Sequence, residues 1–127
     1  MQLEAILETV LYYAEPDRDE VEAFYRDVLG LRRVAGWPEG MAFRVGAGLL
    51  LLFDAEKTSA RPDESQRHGA SGSVHACFLA RSDEYESWKA AVPALEELTW
   101  KNGARSFYFR DPAGNLLEIA ERDLWPA

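Results

Sequence analysis

The spacing of apolar positions along the chain predicts two copies of one set of elements. Alternating or continuous apolar runs predict strands, whereas apolar positions three and four apart predict helices. In the first half, these patterns predict a strand at 3–13, a helix at 17–29 that Gly30 ends, and strands at 31–37, 41–45 and 49–53. In the second half, they predict a strand at 73–79, a helix at 82–92 that Pro93 ends, and strands at 98–101, 105–110 and 115–120. Each half is therefore predicted to be β-α-β-β-β.

The polar stretch between the two halves contains Pro62 and several charged residues, which is typical of a linker. We expect one domain over 1–127, with module one at 1–54, the linker at 55–71 and module two at 72–127. His68 lies in this linker, where an exposed histidine without a function is the ordinary expectation.

The two halves also match in sequence. FRVGAGLLL at 43–51 matches FRDPAGNLLE at 109–118, and DEVEAF at 19–24 matches DEYESW at 83–88. The matches have offsets of 66 (109 − 43) and 64 (83 − 19), with one extra residue in the second turn. An offset near 67 then places Glu8 opposite His75 (75 − 8) and Leu51 opposite Glu118 (118 − 51). Three of these four equivalent positions carry residue types that bind metals.

Glu118 lies in a predicted hairpin whose turn is DPAG at 111–114, with proline second and glycine fourth. The period of two in the last strand puts Leu117 and Ile119 on one face and Glu118 on the other. An acid between apolar neighbours is either solvated, or buried and then paired or bound to a cation. Taken alone, Glu8 and Glu118 are compatible with solvated strand residues, and His75 with a hydrogen-bonded core histidine.

The three residues together favour a metal site. Each module should pack its helix on the apolar face of its sheet, which leaves Glu8, His75 and Glu118 on the opposite faces. Carboxylates and an imidazole that meet in a poorly solvated cup need a divalent cation to neutralise them.

The composition excludes some classes of binding partner. The chain has 127 residues, and its 14 Lys and Arg against 22 Asp and Glu give a net charge of −8. This balance argues against nucleic acid and anionic membranes, which attract clustered basic residues. The single cysteine, Cys77, allows no internal disulfide and is expected to be a buried thiol. With no basic N-terminal region and no apolar run of membrane length, a cytoplasmic protein is expected.

The chain resembles the vicinal oxygen chelate superfamily, which includes glyoxalase I, fosfomycin-resistance thiol transferases, bleomycin-resistance proteins and extradiol dioxygenases. The segments that carry the resemblance are ILETVLYYAEPDRDEVEAFYRDVLGL, SVHACFLA and SFYFRDPAGNLLEIAE. The resemblance implies an α+β fold of two βαβββ modules, whose curved sheets form a cup around a divalent metal: Mn, Fe, Zn, Ni or Mg.

The resemblance also implies metal ligands. His75 and Glu118 match the usual histidine and glutamate, whereas Glu8 stands where histidine is common. Leu51 stands where glyoxalase I-like enzymes place a fourth ligand, a glutamate. Because leucine cannot coordinate a metal, a glyoxalase I reaction is disfavoured.

The implied function is that of a lyase, isomerase, thiol transferase or dioxygenase acting on a small oxygen-bearing substrate, with Glu118 or a metal-bound water as base. Ser106 and Tyr108 match positions that contact the phosphonate in fosfomycin-resistance enzymes, although ordinary sheet packing also explains them. The alternative is a non-catalytic, drug-sequestering protein of the bleomycin-resistance kind. Either protein is expected to be a homodimer. Four residues are candidates for an aromatic pocket or for the core: Tyr12, Trp37, Met41 and Trp100.

Overall fold

The computed structural model describes residues 1–70 and 72–126. The chain divides into two compact units, residues 1–72 and 73–127. Within the described residues, no helix combines the length and the apolar character needed to cross a membrane.

The first unit is a β-α-β-β-β module followed by a short helix. Its elements are β1 (Glu8–Tyr13), α1 (Arg18–Ala23), β2 (Arg32–Trp37), β3 (Gly40–Val45), β4 (Gly48–Asp54) and α2 (Ala55–Ser59). The strand order is β1-β4-β3-β2, with β1 parallel to β4 and the other pairs antiparallel. The ring of Tyr25, just after α1, lies 5.7 Å from that of Phe43 in β3, and both are fully buried. The helical segment therefore covers one face of this sheet, as predicted.

The second unit repeats this arrangement. Its elements are β5 (His75–Leu79), α3 (Tyr85–Ala91), β6 (Glu97–Thr99), β7 (Arg105–Arg110) and β8 (Leu116–Ala120). The strand order is β5-β8-β7-β6, again with one parallel pair, β5 with β8. Tyr85 of α3 packs on Phe107 of β7 with ring centroids 5.4 Å apart. The two βαβββ modules predicted from the sequence are thus confirmed.

The strand registers reproduce the offset found in the sequence. Glu8 pairs with Leu49 across β1 and β4, and His75 pairs with Leu116 across β5 and β8. Both members of the pair shift by 67 (75 − 8 and 116 − 49). The equivalence of Glu8 with His75 is therefore a property of the backbone as well as of the sequence.

The first strand is shorter than predicted. Residues 3–7 were expected to belong to it, but β1 begins at Glu8. The Leu7 carbonyl still accepts a hydrogen bond from the Leu49 N–H at 3.0 Å. Because β4 begins at Gly48, however, residues 3–6 have no neighbouring strand. Leu3, Ile6 and Leu7 are consequently exposed.

The polar stretch after β4 carries regular structure. Asp54 caps α2, since its carboxylate accepts hydrogen bonds from the backbone N–H groups of Glu56 and Lys57 at 3.0 and 3.1 Å. Farther along, the His68 ring hydrogen-bonds the Tyr12 hydroxyl at 2.8 Å and packs edge-on against Phe53 at 4.8 Å. His68 is therefore a packed residue of the first unit, contrary to the expectation of an exposed histidine without a role.

The outer strand β2 is almost wholly exposed. A β-bulge interrupts its pairing with β3 between Arg33 and Ala35. The Arg33 guanidinium lies over Gly36, where a Cβ would collide with it, and pairs with Glu22 at 2.7 Å. A charged side chain thus covers part of this edge.

The turn between β7 and β8 is built on one buried carboxylate. Asp111 Oδ1 accepts hydrogen bonds from the backbone N–H groups of Ala113 and Asn115, both at 2.9 Å. Asp111 Oδ2 accepts one from the Asn115 amide at 2.8 Å. Gly114 has φ +88°, a conformation that other residues rarely adopt. The turn sets the register that places Tyr108 opposite Glu118.

An ion-pair network on the helix side of the second unit should make stability depend on pH. Arg105 contacts Glu121 and Glu86 at 2.9 Å each, and Lys89 contacts Glu97 at 2.9 Å. Hydrogen bonds from Arg105 lower the pKa of Glu121, and those from Lys89 do the same for Glu97. A lowered native pKa stabilises the fold above the ordinary value of 4.5, and this stabilisation is lost as the pH falls through and below it.

We therefore expect the urea midpoint of Glu121→Gln to lie below that of the unchanged protein at pH 7, with the difference closing below pH about 4.5. Glu20→Gln, a change at an exposed glutamate of α1, is the control and should show no such convergence. A difference between Glu121→Gln and the unchanged protein that stays constant down to pH 3 would contradict this expectation.

Candidate functional site

The fold brings His75 and Glu118 together on one face of the second sheet. His75 and Cys77 lie on the same side of β5, and Cys77 is the register partner of Glu118 in β8. His75 Nε2 lies 3.3 Å from Glu118 Oε1. Phe107 and Leu117 point to the other face, toward α3, so the hydrophobic packing of the helix fixes which side these polar groups occupy.

Glu118 is a buried carboxylate with one unsatisfied oxygen. The residue is 4% exposed, and its Oε2 has no hydrogen-bond partner among the residues that the structure describes. Leaving a charged oxygen buried and unpaired costs several kcal/mol in principle, so such atoms usually mark the place of a ligand or ion.

The groups beside Glu118 are held neutral. Tyr108 is its register partner in β7, and burial, followed by the negative charge of Glu118, raises the pKa of the Tyr108 hydroxyl. Partial desolvation of its sulfur and the negative charge of Glu118 raise the pKa of the Cys77 thiol to about 12, although the residue as a whole is exposed. Tyr108 and Cys77 are therefore neutral at pH 7 and add no further negative charge beside Glu118.

The orientation of His75 suits a metal ligand. Its Nδ1 lies 2.9 Å from the Leu116 carbonyl oxygen, which can only accept a hydrogen bond, so Nδ1 carries the proton. In the neutral ring, Nε2 then presents a lone pair toward Glu118 Oε1. His75 Nε2 and Glu118 Oε1 are then both acceptors, so either a proton or a cation is required between them. A backbone bond that fixes the second ring nitrogen is the usual support for a metal-binding histidine.

Glu8, the third predicted ligand, lies in the first unit. It is the exposed first residue of β1 and pairs with Leu49 of β4. Within the described part of either unit, no group of three or more His, Cys, Asp or Glu side chains is arranged to hold one ion. The role of Glu8 as a ligand stays a prediction.

Ser106 and Tyr108, the predicted substrate-binding residues, share the face that carries Glu118. Ser106 is fully buried, and its hydroxyl accepts a hydrogen bond from the indole N–H of Trp100 at 2.9 Å. The Tyr108 ring lies 5.9 Å from the His75 ring. Their contact with a substrate stays a prediction.

Leu51 lies in an apolar cluster of the first unit. It is 7% exposed and packs with Ala42 and Phe53, and Val10, Tyr12, Trp37 and Leu49 surround this group. The position equivalent to Glu118 therefore contributes to hydrophobic packing in the first module. Met41, a predicted pocket candidate, is fully buried in the core.

Sequence reasoning missed the C-terminal segment and misjudged Cys77. Leu124 and Trp125 line a cavity of about 280 Å³ together with His75, Trp100 and Glu118. No periodic pattern places residues beyond the last strand, although a tryptophan in a polar tail is itself an unusual feature. Cys77 also lines this cavity and is an exposed residue, so the prediction of a buried cysteine is wrong. The reason is that β5 is an edge strand and that Cys77 lies on the face opposite α3.

Comparison with known proteins agrees with this architecture. Residues 7–119 match the family model of the Glyoxalase/Bleomycin resistance protein/Dioxygenase superfamily. A crystal structure of lactoylglutathione lyase from Agrobacterium tumefaciens shares 40% sequence identity with a TM-score of 0.89, covering 100% of both chains. Among curated proteins, glutathione transferase FosA from Serratia marcescens is 26% identical over 113 residues, which are 86% of this chain and 76% of that protein.

A more distant structure shows the fold alone. FosX from Listeria monocytogenes, crystallised with Mn(II) and a dihydroxypropylphosphonic acid, is 17% identical with a TM-score of 0.69, covering 97% of this chain and 94% of that one. The family resemblance and the fold expected from the sequence are thereby confirmed.

Proposed function

Because the chain belongs to the Glyoxalase/Bleomycin resistance protein/Dioxygenase superfamily, we propose that it is an enzyme that holds a divalent metal at His75 and Glu118 and acts on a small oxygen-bearing substrate. The observation that carries the proposal is the buried, unpartnered Glu118 Oε2 beside the lone-pair nitrogen of His75. A divalent ion bound there would supply Lewis-acid activation of a substrate oxygen.

His75 and Glu118 fit a metal by chemistry as well as by placement. One imidazole nitrogen and one carboxylate, with Glu8 as the proposed third ligand, form an oxygen-rich set that suits Mn²⁺, Fe²⁺, Zn²⁺, Ni²⁺ or Mg²⁺. We propose that Glu8 completes the set either within one chain or from a second copy in a homodimer. With leucine at position 51, three protein ligands would leave open positions for a chelating substrate.

For the reaction, we propose a lyase, isomerase or transferase rather than a dioxygenase. Two of the relatives above 25% identity are named for a reaction, lactoylglutathione lyase and glutathione transferase FosA. Leu51 argues against a glyoxalase I site with four protein ligands, so the reaction of the first relative is not assigned to this chain. Glu118 is the candidate base, since it is the carboxylate at the proposed site.

A second candidate function is non-catalytic binding of a cationic aromatic molecule. The same cavity combines an anionic carboxylate with the indole rings of Trp100 and Trp125, which attract cations through their π faces. A ligand of this kind would satisfy Glu118 without a metal.

Metal binding separates the two candidates. We expect the protein to bind about one Mn²⁺ per chain and its melting temperature to rise on metal addition. His75→Ala should weaken Mn²⁺ binding at least tenfold, since even changes outside the ligand shell of a metal cost about 10 to 100-fold in affinity. Calorimetric titration of tag-free protein after EDTA treatment measures both effects. His68→Ala is the matched control, because His68 is the other histidine of the chain and packs on Tyr12 and Phe53.

Equal loss of Mn²⁺ affinity in His68→Ala and His75→Ala would show that His75 is not a metal ligand. Absence of any Mn²⁺, Fe²⁺, Zn²⁺ or Ni²⁺ binding would overturn the metal-dependent function. Binding of a cationic aromatic dye that survives both EDTA and His75→Ala would instead support the sequestering function. Glu8→Gln tests the third ligand, since unchanged Mn²⁺ affinity would exclude Glu8.

A further inference from the structure

The cavity of the second unit has an uneven distribution of polar and apolar groups. His75 and Glu118 supply the groups of the proposed metal site, whereas Trp100, Leu124 and Trp125 supply apolar surface. At about 280 Å³ the cavity is near the lower limit for small-molecule sites. A ligand that reaches Glu118 therefore shares this small cavity with two indole rings.

Two hydrogen bonds fix Trp100 so that its ring presents apolar surface to the cavity. Its indole N–H donates to Ser106 Oγ at 2.9 Å, and its backbone N–H donates to the Ala104 carbonyl at 2.8 Å. Because the only polar atom of the side chain is engaged with Ser106, the ring offers a ligand apolar edges and a π face.

The C-terminal segment is tied to the loop after Trp100. Arg122 Nη2 donates to the Asn102 carbonyl at 2.7 Å, and Asn102 Nδ2 donates to the Asp123 carbonyl at 3.0 Å. The backbone N–H of Trp125 donates to the Asp123 carboxylate at 3.0 Å. These bonds hold Leu124 and Trp125 at the cavity, and Trp125 is nevertheless 77% exposed. The bonds fix the backbone that carries the Trp125 ring, and an aromatic ring exposed to water beside a cavity has apolar surface available for a ligand.

We propose that the cavity selects substrates with chelating oxygens on two adjacent carbons and a planar aromatic ring bonded directly to one of these carbons, with Trp100 and Trp125 contacting the ring. The proposal rests on the proposed metal-dependent function, because the oxygens are placed by the metal at His75 and Glu118. It adds a substrate class and assigns Trp125 as a specificity-determining residue.

The test compares two α-hydroxy ketones that differ in one group, 2-hydroxyacetophenone with a phenyl ring and hydroxyacetone with a methyl group. Calorimetry on the Mn²⁺-loaded protein should give an affinity at least about tenfold higher for the phenyl compound, as expected for burial and stacking of one ring. Trp125→Ala should reduce this preference to about threefold or less by weakening only the phenyl compound, whereas Trp125→Phe should retain most of it. Trp125 is exposed, so these changes should not affect folding.

Trp88→Phe, in α3, is the control for loss of a tryptophan elsewhere in the same unit, and it should leave both affinities unchanged. A phenyl preference that survives Trp125→Ala would reflect general apolarity and would overturn the assignment of Trp125. Equal affinities in protein shown to hold Mn²⁺ would overturn the substrate class alone. Failure to bind Mn²⁺ would overturn the proposed function and this inference with it.

Discussion

Replacing Glu118 by glutamine is expected to abolish high-affinity metal binding while making the metal-free protein more stable. The carboxylate is buried, and its Oε2 has no hydrogen-bond partner among the described residues. A neutral amide of the same shape lowers the cost of burying the oxygen that has no partner, which should raise the free energy of unfolding by about 1 kcal/mol. The loss of an anionic ligand should lower Mn²⁺ affinity by about 100-fold or more.

The opposite signs of the two effects make this prediction specific. Urea denaturation in EDTA measures the stability of the metal-free protein, and calorimetric titration measures Mn²⁺ affinity. Glu96→Gln is the matched control, because it removes the same charge from an exposed residue of the same module and should change neither quantity appreciably. A Glu118→Gln protein that binds Mn²⁺ as tightly as the unchanged protein would exclude Glu118 as a ligand.

Asp111→Ala is expected to be the most destabilising of the changes considered, with a loss of about 3 kcal/mol, because at least three hydrogen bonds to one buried carboxylate disappear. Two of these bonds hold backbone N–H groups of the turn, at Ala113 and Asn115. Since β8 begins directly after this turn, its loss should also displace Glu118 and weaken Mn²⁺ binding.

Thermal and urea denaturation measure the effect, which corresponds to about 10 °C in melting temperature for a chain of this size. Asp111→Asn keeps an acceptor for the backbone N–H groups but places an amide N–H₂ against that of Asn115, so it should cost less than the alanine change. Asp63→Ala is the control, since Asp63 also accepts a backbone hydrogen bond, from Ser65 N–H at 3.1 Å, but in an exposed turn. Equal losses for Asp63→Ala and Asp111→Ala would show that burial of the turn carboxylate is unimportant.

The repeat made the fold predictable from the sequence. The segments around Phe43 and Phe109 match at an offset of 66 (109 − 43), which one extra residue in the second turn raises to the 67 that the strand registers reproduce. Because side chains alternate along a strand, this offset also placed His75 and Glu118 on one face, and their 3.3 Å contact follows from that register. The contribution of Glu8 depends on pairing between modules, which local patterns do not encode.

Other features depended on tertiary partners that periodicity does not reveal. Residues 3–7 have the composition of a strand, but β4 starts too late to pair with residues 3–6. The helix α2 had a local signal in its cap, Asp54, which the polarity of the stretch obscured. The position of Trp125 depends on hydrogen bonds with the loop at Asn102, and the sequence pattern does not predict these bonds.

The outer edge of the first sheet bears on how the protein avoids fibril growth. An unpaired strand is a template onto which a foreign chain can add, but the bulge in β2 breaks the even spacing that such addition requires. The Arg33 guanidinium over Gly36 adds a charge that an incoming backbone would have to desolvate. The corresponding edge of the second sheet, β6, is only three residues long and offers little template. On this side, each sheet therefore has an edge that disfavours the addition of strands from other molecules.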